Sequence, residues 1–180
     1  MYIKIIFIAA VVILAGIIIF YSAKKEFIIQ KTNMIISIPS FSKDNEIPSQ
    51  FTCDGSDINP EIIIQDVPKS AKSLVLIMDD PDATRGTFVH WIMWNISPDT
   101  RKIESNSVPQ SAIQGLNGAK KSGYIGPCPP SGTHRYFFKL YALNKRLELD
   151  LNTDAAGLIK AMEGDILSQA QTIGLYKRIN

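Results

Sequence analysis

The chemistry available to this sequence lies in two histidines, three close aspartates and one proline-rich loop. His90 sits two residues into the run FVHWIMWNI, which is otherwise filled by aromatic, branched and other apolar side chains. His134 comes after GPCPPSGT, where prolines and glycines on either side of Ser131 give the backbone a fixed shape. One X-Pro bond of that loop could be cis. Such a loop would present His134 and Tyr136 as a preorganised pair. Asp79, Asp80 and Asp82 come directly after the apolar run SLVLIM. Three acids at a strand's end are costly unless solvated or paired.

These side chains support three chemistries. Histidine N–H groups, a tyrosine hydroxyl and loop amides can converge on a phosphate or carboxylate. The acids would then orient the imidazoles or accept an ammonium group. Alternatively, Cys128 with a histidine and an aspartate could form a thiol hydrolase. As a third option, His90, His134, Asp80 and Asp82 are enough ligands for zinc. Catalysis is disfavoured because prolines flank Cys128, so no helix N-terminus lowers its pKa in the usual way. There is no GxSxG elbow for a serine nucleophile and no HExxH helix for a metal. Plainer readings compete at each position: an acidic exposed turn, a core histidine, a rigid turn.

The elements that must position these groups are mostly strands. Residues 34–38 and 62–64 are short and extended. Residues 73–78 are apolar on both faces, as in a central strand. Residues 88–96 and 135–143 are rich in aromatic and β-branched residues. Thr153 is a candidate N-cap, with Asp154 in the first turn. Ala155, Leu158, Ile159, Met162, Ile166, Leu167 and Ala170 then recur at helical spacing. Gly164 weakens the middle of that helix and Gly174 ends it. Strands separated by long Pro/Gly-rich loops, with one late helix, predict a mainly antiparallel β-sandwich with peripheral helices.

The chain has 180 residues, with 19 Lys+Arg against 17 Asp+Glu. A net charge of +2 without a long basic run argues against a nucleic-acid partner. At 46% hydrophobic and 20% charged the chain is not disordered. Residues 5–21 contain no charge and are nearly all apolar. They fall at the lower end of the roughly 17–25 residues that span a bilayer. A cleaved signal segment is the alternative, but Tyr21 stands where a small residue is needed for cleavage. The expectation is a single-pass anchor over residues 1–23, a polar tether over 24–33, and an exported domain over 34–180.

Three segments together carry a resemblance: SLVLIMDDPDA, FVHWIMWNI and GPCPPSGTHRYFFKLYAL. FTCDGSDINP at 51–60, VPKSAKS at 67–73 and AMEGDILSQAQTIGLYKR at 161–178 add to it. The chain resembles the phosphatidylethanolamine-binding proteins, also called Raf kinase inhibitor proteins, in their bacterial form. The likeness covers about residues 35–178. It implies two packed antiparallel sheets with short helices and a small anion-binding pocket at one end. The implied ligand-binding residues are Asp80, Asp82, His90, Gly126, His134 and Tyr136. Arg135 is implied to be structural, pairing a pocket acid. The implied ligand is a small anion or a zwitterionic phospholipid head group. A kinase or protease is the kind of protein partner implied, and no cofactor or metal is.

Cys53 and Cys128 fall where bacterial relatives carry cysteine, so the resemblance implies either a disulfide or two buried thiols. Three residues depart from the family's pattern. Thr84 replaces a proline at the pocket rim. Ile64 replaces a tryptophan. Asp165 replaces a histidine in the late helix, and is expected to add an acid near the pocket and weaken anion binding.

Overall fold

A computed structural model describes residues 33–178. The segment 1–23 and all but the last residue of the tether 24–33 lie outside the described residues. Among the described residues no helix is long and apolar enough to cross a membrane.

The apolar run after Lys72 forms β4 (Ser73–Asp80), buried at every position. Its burial on both faces comes from its place in a large sheet. Leu74, Leu76 and Met78 join one core, and Val75 and Ile77 join another. That two-residue alternation is what a pleated strand imposes. β4 is flanked by β5 (Phe88–Ile96) and β8 (His134–Leu143), both antiparallel to it. The sheet extends outward through β7 (Ile113–Gln114) on one side and β9 (Ile166–Tyr176) on the other. The short β2 (Asn45–Glu46) pairs with β9 in parallel.

A second, three-stranded sheet consists of β1 (Ile35–Ser37), β3 (Ile62–Gln65) and β6 (Lys102–Ile103), with β3 central. Ile36, Ile62, Ile64 and Ile103 of this sheet share a core with Leu74, Leu76, Met78, Trp91 and Phe138 of the large one. The two sheets are therefore layers of a sandwich. Each fully buried Ile or Leu contributes about 1.5–3 kcal/mol of transfer free energy. Ile64 is fully buried in that core, so its departure from tryptophan is a matter of packing.

The opposite face of the large sheet is covered by α1 (Ala155–Met162), whose Leu158 and Met162 pack on Val75, Ile77, Ile92 and Trp94. This helix corrects the sequence reading in two ways. Its N-cap is Asp154, whose carboxylate accepts from the Gly157 amide, rather than Thr153. It also ends at Met162, beyond which Gly164 takes a φ of 79° that glycine adopts freely. Ile166, Leu167 and Ala170 belong to β9, which pairs with β8 from His134↔Tyr176 to Leu143↔Ile166. Gly174 terminates no helix. It lies inside β9, where a Cβ would stand 2.5 Å from Ile47 Cγ1 and 2.7 Å from Phe41 Cε2. Its lone hydrogen lets Ile47 and Phe41 pack directly on the β9 backbone.

Candidate functional site

The end of the sandwich where β4 stops holds a cavity of about 420 Å³. Strands β8, β4 and β5 supply its floor. Asp80 is the last residue of β4, His90 comes from β5, and His134 and Tyr136 begin β8. Two residues apart on one strand, His134 and Tyr136 share a face.

His90 reaches that face through a bulge. Met78 pairs with Trp91, but Asp79 pairs with Val89, so β5 carries one extra residue at His90. A bulge re-aims side chains in this way. The bulge residue is tied down by Ile125, whose carbonyl lies 2.7 Å from His90 Nδ1 and whose amide donates to the His90 carbonyl at 3.0 Å. A carbonyl can only accept, so Nδ1 carries the proton and Nε2 is left as a bare acceptor. Nε2 is buried and has no hydrogen-bond partner among the described residues. Burial also depresses the His90 pKa, outweighing the Ile125 carbonyl and the negative charges of Asp80, Asp79 and Asp57.

His134 Nδ1 lies 2.7 Å from Asp80 Oδ2, and both residues are buried. The carboxylate accepts from Nδ1, leaving Nε2 free of the pair. The Tyr136 ring meets the His90 ring edge-on at 5.2 Å. Its hydroxyl is buried without a hydrogen bond of good geometry. Burial first, and the charge of Asp80 second, push the Tyr136 pKa far up, so the phenol keeps its proton and can donate. The floor therefore offers one O–H donor, imidazole nitrogens, and one carboxylate already engaged.

The walls come from loops. Gly126, Cys128, Pro129 and Pro130 form one side, and residues 83–87 with Phe88 form the other. Gly126 is present for close approach: a Cβ would lie 2.6 Å from the Phe51 carbonyl oxygen and from Asp57 Oδ1. Its amide donates to Asp57 Oδ1 at 2.6 Å, so it is spent on the loop rather than offered to a ligand. Cys53 and Cys128 are joined in a disulfide across a separation of 75 residues, and both are exposed. The buried-thiol alternative therefore fails. The disulfide also removes Cys128 as a nucleophile. All described peptide bonds are trans, including those of the proline-rich loop.

Of the six residues implied by the sequence, five line this cavity. Asp82 does not. It turns outward, where Arg135 clamps it through Nε at 2.9 Å, a terminal nitrogen at 2.7 Å and the main-chain amide at 3.0 Å. That guanidinium holds the Asp82 pKa down at about 2. Asp165 corrects another expectation. It lies at the Leu143 end of the β8–β9 ladder, paired with Lys145 at 2.5 Å, while the cavity is at the His134 end. It adds no charge to the site. No cluster of three or more potential metal ligands occurs among the described residues.

Comparison with known proteins decides the family. The profile described as "Phosphatidylethanolamine-binding protein" matches residues 37–177. The chain belongs to the phosphatidylethanolamine-binding protein family. A UPF0098 protein of Methanothermobacter thermautotrophicus is 45% identical over 150 residues, covering 81% of this chain and 99% of that protein. One from Aquifex aeolicus is 49% identical over 146 residues, covering 77% of this chain and 85% of its own length. The crystal structure of a phosphatidylethanolamine-binding protein homologue from Chlamydia trachomatis superposes with a TM-score of 0.80 at 37% identity, covering 82% of this chain and 99% of that one. Escherichia coli YbcL shares the fold at a TM-score of 0.77 and 23% identity, with the same coverage.

In this family member the sequence reading missed Arg85, Phe88 and Ile125 in the cavity wall. Phe88 opens the recognised motif FVHWIMWNI and Arg85 follows SLVLIMDDPDA by two residues, so the ends and borders of the motifs held the signal for them. Ile125 had no signal, because it acts through its backbone.

Proposed function

We propose that this protein binds a small phosphate-bearing ligand, anionic or zwitterionic, in the cavity between β4, β5 and β8. One observation carries the reading. Two polar atoms in the same cavity, His90 Nε2 and Tyr136 Oη, are buried without a hydrogen bond of good geometry among the described residues, Tyr136 having only a weak contact with Asp80. Buried polar groups are otherwise almost always hydrogen-bonded, so a pair left open marks a place where a ligand completes the set. Tyr136 donates to a ligand oxygen. The bare His90 Nε2 accepts from a ligand O–H or N–H, or takes up a proton to become a donor. Apolar walls from Phe88, Ile125 and the prolines suit the rest of a small ester. The volume lies within the roughly 300–1,000 Å³ usual for small-molecule sites.

Binding rather than catalysis is favoured because Cys128, the cysteine lining the cavity, is oxidised. The apolar run 5–21 would hold the domain at a membrane, exported to a compartment where the disulfide persists. The mass of the protein recovered from membranes separates an anchor from a cleaved signal.

Calorimetric titration of the full chain, in a non-ionic detergent, with inorganic phosphate and with phosphoethanolamine tests the site. Tyr136→Phe removes only an oxygen and should weaken binding about tenfold, equivalent to one hydrogen bond of about 1.4 kcal/mol. Absence of binding by the wild type, or undiminished binding by both Tyr136→Phe and His90→Gln, overturns the reading.

A further inference from the structure

We propose that Arg85 sets the charge preference of this cavity, selecting phosphate monoesters, which carry two negative charges, over diesters, which carry one. The inference rests on the cavity being an anion site and goes beyond it by naming the class.

The floor cannot make this choice by itself. Asp80 places a negative charge there, 3% exposed, answered by the single imidazole of His134. His90 is held in the Nδ1–H tautomer by the Ile125 carbonyl and presents a lone pair. A dianion entering such a floor meets one carboxylate and no unshared cation. Arg135, the cation of the HRY motif, is committed to Asp82 on the outside by a two-pronged contact.

Arg85 is the one permanent cation lining the cavity. Its guanidinium has no hydrogen bond or ion pair among the described residues, and the residue is exposed. It is carried on a tight turn closed by the Gly86 amide on the Ala83 carbonyl at 3.0 Å. Gly86 takes a φ of 93° there, a conformation costly for other residues. The turn starts three residues after Asp80, so the unpaired cation and the buried acid stand at the mouth and floor of one cavity. A guanidinium presents a planar fork that matches two phosphate oxygens at once. The monoester has two unesterified oxygens left to offer that fork after a third has met Tyr136; the diester has one.

The matched probes are methyl phosphate and dimethyl phosphate. They differ by one methyl group and, at pH 7.5, by nearly one charge, since a phosphate monoester loses its second proton near pH 6. Full-length protein in a non-ionic detergent is titrated with each. Wild type is expected to favour methyl phosphate at least tenfold at low salt. That preference shrinks as ionic strength rises, because the contact is exposed. Arg85→Gln should bring the ratio close to one, and Arg85→Lys should restore part of it, with thermal melting unchanged in both. A wild-type ratio near one, or an undiminished ratio in Arg85→Gln, overturns the role of Arg85 and leaves the anion site standing. Wild type binding neither ester overturns the anion site and this inference together.

Discussion

The two ends of one short motif meet two ends of another, with opposite outcomes. Asp80 and Asp82 flank Pro81, and His134 and Arg135 are adjacent on β8. Asp80 pairs with His134 inside the cavity, where both are nearly inaccessible. Asp82 pairs with Arg135 outside, where the arginine side chain is 54% exposed. The inner pair sits beside two polar atoms without a hydrogen bond of good geometry among the described residues. The outer pair has an additional bond from the Arg135 main chain. Strand alternation produces the division, since neighbouring residues of β8 point to opposite faces. Completeness and burial therefore separate: the exposed pair is saturated and serves as a clamp, while the buried pair lies beside polar atoms whose hydrogen bonds are incomplete among the described residues.

The largest effect should come from breaking the inner pair. His134→Ala leaves the Asp80 carboxylate buried without its donor. A buried charge stripped of its partner costs about 3–5 kcal/mol. Urea unfolding should report that loss, with phosphate binding abolished. A loss under about 1 kcal/mol would mean Asp80 is solvated, and the contrast between the pairs would dissolve.

Next comes the loop that walls the inner pair. Gly126→Ala forces a methyl into the Phe51 carbonyl and the Asp57 carboxylate, both at 2.6 Å. Overpacking of this kind costs about 1–3 kcal/mol. The loop should also draw back from the cavity, so ligand affinity falls with stability. Unchanged stability and affinity in Gly126→Ala would show that the loop yields freely.

Arg135→Ala is the counterpart of His134→Ala on the outer pair, one residue away. Exposed ion pairs contribute below about 1 kcal/mol, and Asp82 keeps its main-chain bond in the variant. Unfolding should show that small loss, and phosphate affinity should stay within about twofold of wild type. A loss comparable to that of His134→Ala would make the outer clamp as important as the buried pair.

The contrast also marks what a sequence can and cannot disclose. β4 and β5 are legible because their apolar runs are buried on both faces, and β8 because its buried residues alternate with more exposed ones. The histidines and Tyr136 are legible as types and neighbours. The aim of His90 is not, because it depends on a bulge created by the pairing of β4 with β5. The motif alone puts Asp82 in the cavity, because it does not show which way the chain turns after Pro81. β9 reads as helix because Ile166, Leu167 and Ala170 continue the spacing of α1. Most of its first half is exposed, and half-buried Ser168 and Ala170 alternating with exposed Gln169 and Gln171 make no apolar pattern there. The usable signal comes later, where Thr172, Gly174 and Tyr176 are buried in turn. The expectation for Asp165 comes from the family pattern, whereas the start of β9 opposite Leu143 carries it to the far end of the ladder.

A pH dependence separates the two regions as well. The folded pKa of His90 is depressed below its unfolded value of about 6.5, chiefly by burial. The unfolded chain therefore takes up this proton first as pH falls, and stability declines from about pH 6.5 downward until the folded pKa is passed. Asp82 behaves differently. Its folded pKa of about 2 lies below the ordinary 3.8, so its contribution is full above about pH 4 and disappears as pH falls toward 2. One group can impose at most about 1.4 kcal/mol per pH unit. Denaturant unfolding between pH 7 and 5 should thus give a shallower slope in His90→Gln than in wild type, and the same slope in Asp82→Asn. The Asp82→Asn difference should open only below about pH 4. Saturating phosphate should flatten the wild-type slope, because an anion beside His90 favours the imidazolium that burial opposes. If His90→Gln and wild type run parallel across pH 7 to 5, the imidazole is not being kept neutral by its surroundings, and the bare nitrogen on which the cavity's chemistry depends is already satisfied.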